Sequence, residues 1–160
     1  MSTSISLRNS WPLLALFAAV VMGVGFVVGL ISSPGTWAQQ LILPPYVLPD
    51  VISTAIWFML CIAFAVAGWR LWLIDSSSFE TRLWLAILIL SWWYYPIFFV
   101  ARAPMAALVV IGLLAVLMLI FVVRTWMADR ISSLLFVPCL AWVVYATMLT
   151  AWVIQLNPGI

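Results

Sequence analysis

The chain has 160 residues, of which 68% are hydrophobic and only 6% are charged, and its mean hydropathy is +1.30. A water-soluble domain must present a polar surface, so this composition excludes most soluble functions and indicates that the solvent is lipid. The net charge of +2 includes no basic tract, and we therefore expect no nucleic-acid partner.

Five apolar segments, each long enough to cross a bilayer, follow one another along the chain. A hydrocarbon core of about 30 Å needs roughly 20 apolar residues in a helix. Backbone groups in lipid must be bonded within the protein, and the segments lack the alternation typical of a membrane barrel. We therefore predict an all-α fold, a single five-helix transmembrane bundle. Its spans are predicted at residues 11–31, 51–73, 83–101, 104–124 and 131–155.

Arginine is distributed unevenly between the two sides of such a bundle. With five spans, Arg102 alone lies on the side opposite the N-terminus. The N-terminal side holds the other five: Arg8, Arg70, Arg82, Arg124 and Arg130. The positive-inside rule therefore predicts an integral membrane protein whose N-terminus lies in the cytoplasm.

The chain offers few residues for conventional catalysis. It contains no histidine, its acidic residues lie near span ends, and no glycine-rich phosphate loop is present. Zinc hydrolysis, triad chemistry and nucleotide turnover would lack their essential groups, so we expect no enzyme and no metal site. Cys61 and Cys139 fall within spans, where we interpret them as small apolar packing residues, with a disulfide or a ligand role as alternatives.

Aromatic side chains make up 15% of the chain, with eleven Trp, nine Phe and four Tyr. Seven tryptophans lie at or near span ends, where indoles favour the headgroup region. They are Trp11, Trp37, Trp69, Trp72, Trp84, Trp126 and Trp152. Four others lie deeper: Trp57, Trp92, Trp93 and Trp142. Because an indole N–H in hydrocarbon needs a partner, we expect these four to face a helix interface or a cavity.

Prolines mark two span interiors and one long connection. Pro96 and Pro138 each remove a backbone hydrogen bond and favour a kink. Kinked helices can enclose a cavity, although kinks are also common in membrane proteins that bind no ligand. Residues 32–50 carry Pro44 and Pro49 beside Trp37, and ordered loops of this length are often functional. We interpret this segment as a possible lid.

Four patterns occur in order along the chain. The first is W-x-x-x-L from Trp37 to Leu41, and a second joins Leu41, Pro44, Pro49 and Trp57. The third, at residues 94–99, reads YYPIFF, and the fourth, at residues 135–142, reads LFVPCLAW. Together they resemble the TspO/MBR family, also called translocator proteins or tryptophan-rich sensory proteins.

The chain also departs from the family pattern at several positions. Ser91 stands where many relatives have Asn, and Cys61 and Cys139 stand where they have Tyr. Thr150 replaces an Asn near the end. These departures leave fewer polar anchors for a ligand, so affinity for the usual family ligands is open.

The resemblance implies a five-helix bundle, usually a dimer, in a bacterial cell membrane. It also implies binding of porphyrins such as protoporphyrin IX and haem in a pocket among the helices beneath residues 32–50. No cofactor is obligatory on this reading, and a porphyrin or another apolar pigment or lipid could be bound. By resemblance, the walls would be Trp57, Tyr94, Phe98 and Trp142, with Ser91 and Thr150 as hydrogen-bonding groups. Helix–helix packing is the alternative role for each of them.

Two functions therefore remain open. The first is a sensor or carrier that binds tetrapyrroles or similar apolar molecules, with light-dependent porphyrin degradation as an activity the resemblance allows. The second is a structural or assembly subunit of a larger membrane complex, suggested by the lost polar anchors and by Gly112 in the alanine-rich fourth span. A coupled transporter has less support, since no intramembrane charge pair or inverted repeat is evident.

Overall fold

The computed structural model describes residues 10–159, and these residues form helices and connections without any strand. The five long helices are α1 (Trp11–Ile31), α3 (Asp50–Asp75), α4 (Phe79–Tyr95), α5 (Pro104–Ala128) and α6 (Arg130–Leu156). A one-turn helix, α2 (Thr36–Gln39), lies between α1 and α3, and a π-helical turn (Pro96–Val100) continues α4. The five long helices, α4 together with that turn, are long and apolar enough to cross a membrane. The predicted all-α, five-span fold is confirmed.

Two proline positions show how the chain shapes its helices. Pro96 has no N–H to donate. The hydrogen bonds after it join residues five apart, as in a π-helix, and the N–H of Ala101 donates to the carbonyl of Pro96 at 2.9 Å. Pro138 lies inside α6 without ending that helix. Of the two prolines, only Pro96 changes the type of helix.

Short connections make the last helices close neighbours, and their aromatic side chains form the core. Asp129 alone joins α5 to α6, so the two helices pack against each other along their length. Phe121 of α5 and Phe136 of α6 are fully buried, with ring centroids 4.1 Å apart. Phe64 of α3 lies 4.5 Å from Phe136. The core is therefore centred where α3, α5 and α6 meet.

Helix α4 is held to α3 by an indole packed against a glycine. The Trp84 N–H donates to the carbonyl of Phe64 at 3.0 Å, and a side chain on Gly68 would overlap the Trp84 ring. Trp84 is only 5% exposed, and Trp69 of α3 is 9% exposed, so the predicted place of both indoles in the interfacial belt is wrong. Trp93 was predicted to face a helix interface or a cavity, and within the described bundle it faces neither, because this deep indole is 58% exposed on the outside.

A partly buried ion pair ties α3 to the turn between α5 and α6. Arg70 Nε and Nη2 each lie 2.8 Å from a carboxylate oxygen of Asp129. Asp129 also accepts a hydrogen bond of 2.6 Å from the Ser132 hydroxyl. The bonds from Arg70, above all, lower the pKa of Asp129 to about 2. Helix association at this end therefore depends on an ionised Asp129.

We expect Asp129→Asn to lower the free energy of unfolding by about 3 kcal/mol at neutral pH, because it leaves Arg70 without its counter-ion. Since the folded pKa is lowered from 3.8 to about 2, the stabilisation is complete above pH 3.8 and disappears as the pH falls through 2. Thermal unfolding in mild detergent should therefore separate wild type from Asp129→Asn clearly at pH 7 and much less at pH 2, where Asp129 is partly protonated in the folded state.

Glu80→Gln is the matched control for this experiment. Its partner Arg124 lies 4.0 Å away, and the Arg124 side chain is 61% exposed, so the loss should be under about 1 kcal/mol. Equal effects of the two substitutions would contradict the structural role of the Arg70–Asp129 pair.

Candidate functional site

A cavity of about 410 Å³ lies among all five long helices. Its lining is mainly apolar and aromatic, and none of the lining residues is charged. The aromatic lining residues are Phe26, Phe64, Trp57, Trp92, Trp142, Tyr94 and Tyr95. A volume in the range of about 300–1,000 Å³ with such walls is typical of small-molecule sites.

The structure brings four of the six predicted ligand-binding residues to this cavity. Trp57 from α3, Ser91 and Tyr94 from α4, and Trp142 from α6 all line it. Trp92, which the sequence placed at an interface or a cavity, lines it as well. The aromatic side chains at the cavity thus come from several different helices.

Phe98 and Thr150 are not among the lining residues. Phe98 is 5% exposed and belongs to a separate small core with Ala107 and Val153. Thr150 lies behind the cavity wall, where its hydroxyl is 2.8 Å from that of Tyr94. Thr150 therefore contributes to the cavity indirectly, because its hydrogen bond orients the Tyr94 side chain.

Gly25 of α1 is a cavity residue that the sequence analysis did not identify. A Cβ atom at this position would lie 3.0 Å from the Trp57 ring and 3.9 Å from Trp92 Nε1. The absence of a side chain therefore lets two indoles approach the α1 backbone. Its spacing of four residues from Gly29, which also lines the cavity, could have indicated a shared helix face.

Both cysteines line the cavity as free thiols. Cys61 of α3 is 9% exposed and Cys139 of α6 is 2% exposed, so both also pack in the core as predicted. Met118 of α5 adds a third sulfur atom to the lining. Among the residues described, no group of three or more His, Cys, Asp or Glu could hold a metal ion.

The segment between α1 and α3 is fastened to α6 at two points. The Tyr145 hydroxyl accepts from the Leu48 N–H at 3.3 Å and donates to the Tyr46 carbonyl at 3.2 Å. The Asn157 side chain binds both the N–H and the carbonyl of Ile42, at 2.9 and 3.0 Å. The segment is therefore held against one end of the bundle.

The three residues predicted for a lid do not line the cavity. Trp37 packs against Phe98, with ring centroids 6.1 Å apart. Pro44 is buried, and Pro49 immediately precedes α3 as its N-cap residue. These residues shape the segment, and whether it acts as a lid stays a prediction.

Comparison with known proteins agrees with this architecture. The family model of the TspO/MBR family matches residues 16–156. The chain belongs to the TspO/MBR family. It is 31% identical to Protein CrtK of Rhodobacter capsulatus over 157 residues, covering 91% of this chain and 95% of that protein. It is also 31% identical to Tryptophan-rich protein TspO of Chlorobaculum tepidum over 158 residues, covering 91% and 96%.

The family match spans both the cavity and the segment fastened to α6, so both features lie within its shared sequence. The tryptophans that give one relative its name have at least two structural roles in this member. Trp57, Trp92 and Trp142 line the cavity, whereas Trp84 closes the contact between α3 and α4.

We expect Tyr145→Phe to loosen one attachment of the segment and leave the other in place. Losing the hydroxyl removes the acceptor of the Leu48 N–H, which is worth about 1 kcal/mol, so hydrogen exchange at Leu48 should accelerate about fivefold. The Ile42 amide, bonded to Asn157, is the internal control and should exchange at its original rate. Equal acceleration at both amides would show that the attachments are not independent.

Proposed function

We propose that this TspO/MBR member is a membrane-embedded binding protein that takes a tetrapyrrole or a similar apolar molecule into the cavity and acts as a sensor or carrier. The observation that carries the proposal is the convergence of Trp57, Trp92 and Trp142 on one cavity of about 410 Å³. Core packing alone gives no reason to arrange three indoles around an open space.

The lining suits a flat, unsaturated ligand. Aromatic pairs contribute about 0.5–1.5 kcal/mol beyond the area they bury, so several rings around a macrocycle would add substantially to binding. The same walls would accept another planar or polyunsaturated apolar molecule. The cavity walls support the proposed class of ligand. The family resemblance supports porphyrin as the first member of that class to test.

We propose binding rather than turnover as the primary activity. The polar lining residues Ser53, Thr54 and Ser91 have no histidine or carboxylate among the lining residues to activate them. Any degradation of a bound porphyrin would need light, absorbed by the macrocycle, and dioxygen as the oxidant.

A homodimer or a larger membrane complex is the second candidate role, and Trp93 supports it. This indole lies well inside the α4 span and is 58% exposed, and its N–H has no partner within residues 10–159. In lipid such a donor lacks an acceptor, whereas a neighbouring protein chain could supply one. Co-purification in mild detergent, with Trp93→Phe for comparison, tests this role.

We also propose that the end of the bundle near Arg70 faces the cytoplasm of a bacterial cell. Arg70, Arg82, Arg124 and Arg130 lie at this end, while Arg102 lies at the other. The positive-inside rule supports this orientation. Arg8, which also contributed to the prediction, lies outside the described residues.

Replacement of Trp142 by Ala should weaken binding of protoporphyrin IX at least tenfold, because the cavity loses an aromatic wall. Saturable quenching of tryptophan fluorescence in detergent measures the affinity. Trp126→Ala is the control, since it also removes one indole from the signal but lies exposed on α5, away from the cavity lining. Absence of saturable quenching in wild type by protoporphyrin IX and by its uncharged dimethyl ester alike would contradict the proposed function.

Gly25→Leu should fill part of the cavity and weaken protoporphyrin IX binding about as much as Trp142→Ala does, because its side chain would push Trp57 into the open space. Gly23→Leu places the same side chain on the same helix, where a Cβ meets nothing within 4 Å, and should bind like wild type. The same fluorescence titration compares them. Equal affinity of the two variants would mean that the ligand occupies another place.

A further inference from the structure

The electrostatic character of the cavity limits which ligands it can hold. No lining residue is Arg, Asp or Glu, and the chain has no Lys or His. The lining side chains therefore offer a ligand dipoles but no charge. A carboxylate moved from water into such a space loses its hydration and finds no counter-ion, which strongly opposes its entry.

Two of the polar groups at the cavity have already used their protons. The Ser91 hydroxyl donates to the carbonyl of Leu88 at 2.7 Å. The Thr150 hydroxyl donates to the carbonyl of Ala146, so the Tyr94 hydroxyl must donate to the Thr150 oxygen at 2.8 Å. Ser91 and Tyr94 can still accept a hydrogen bond, but they have no proton left for an anionic ligand.

The Trp92 N–H is one of several donors that remain available, together with the N–H groups of Trp57 and Trp142 and the hydroxyls of Ser53, Thr54 and Tyr95. Of these donor atoms, Trp92 Nε1 is the nearest to the Gly25 position. It has no partner among the residues described, and it lies 3.9 Å from where a Gly25 Cβ would stand, at the side of the cavity formed by α1. An indole nitrogen can only donate, and in an apolar environment an unpaired donor is costly. A ligand that brings an acceptor to Trp92 removes this cost.

The cavity also reaches the outer surface of the bundle beside α1. Phe26 and Leu30 line it and are at the same time 57% and 61% exposed. Both residues belong to a membrane span, so this surface faces lipid or a neighbouring chain. An uncharged molecule dissolved in the bilayer could enter here without carrying a charge through hydrocarbon.

We propose that the cavity selects uncharged apolar ligands that carry a hydrogen-bond acceptor, such as an ester or ketone oxygen, and that Trp92 donates to this acceptor. The inference rests on the proposed function and specifies its ligand class. For a tetrapyrrole, it means that the esterified form binds in preference to the free dicarboxylic acid.

Protoporphyrin IX and its dimethyl ester test the proposal, because they share one macrocycle and differ only in the two carboxyl groups. Tryptophan quenching is titrated with each in the same lipid nanodiscs. Gly25→Leu is titrated in parallel, and the lower affinity expected for this variant shows which part of the quenching depends on the cavity. We expect the ester to bind at least tenfold more tightly than the acid.

Trp92→Phe tests the donor, since it keeps an aromatic ring and removes the N–H. It should weaken ester binding about fivefold while leaving the thermal midpoint unchanged. Trp126→Phe, outside the cavity, should change neither quantity. An unchanged ester affinity in a folded Trp92→Phe variant would overturn the role of Trp92.

The outcomes separate this inference from the proposed function. If the acid binds as tightly as the ester, or more tightly, selection for uncharged ligands is wrong while tetrapyrrole binding stands. If neither porphyrin binds saturably, the proposed function fails and this inference fails with it.

Discussion

Helices in a bilayer gain little by burying apolar side chains against each other, because lipid tails are equally apolar. The bundle therefore depends on close packing and on polar groups that are satisfied within the chain. The Trp84 indole lying on Gly68 and bonded to the Phe64 carbonyl meets both requirements in one contact. The pair of Arg70 and Asp129 meets the second at the helix ends.

The cavity exists where this close packing is relaxed. Helices α3, α5 and α6 meet through buried rings, whereas Val21 is the only buried residue of α1. Gly25 keeps α1 close to two indoles without filling the space between them. The bundle thus combines a tightly packed part, which maintains the fold, with a looser side beside α1, which leaves room for a ligand.

The length and apolar composition of the five segments were sufficient for the fold, because lipid permits few alternatives to a helix bundle. The position of a residue within a span, in contrast, does not show whether its side chain is buried in the bundle. Trp84 lies near a predicted span start yet is buried, because Gly68 on another helix provides a flat surface for its ring. Trp93 lies further inside the same predicted span, yet its side chain is exposed on the outside of the bundle.

The lining of the cavity was anticipated only in part. The family resemblance implied Trp57, Ser91, Tyr94 and Trp142, which line the cavity, but a resemblance does not say which face of a helix a residue occupies after a π-helical turn. Phe98 lies within that turn and packs in a separate core. Gly25 was missed because its role depends on Trp57 of α3 and Trp92 of α4, which pack near it. These contacts between helices cannot be read from the sequence of α1.

The most direct test of the central claim uses the two native thiols, since Cys61 and Cys139 both line the cavity. The rate at which N-ethylmaleimide alkylates each cysteine would be measured by mass spectrometry, with and without a saturating porphyrin. The account predicts that the ligand slows alkylation at both positions together. Where both cysteines are measurably alkylated without ligand, unchanged rates with the porphyrin shown to be bound would place the ligand elsewhere and contradict the account.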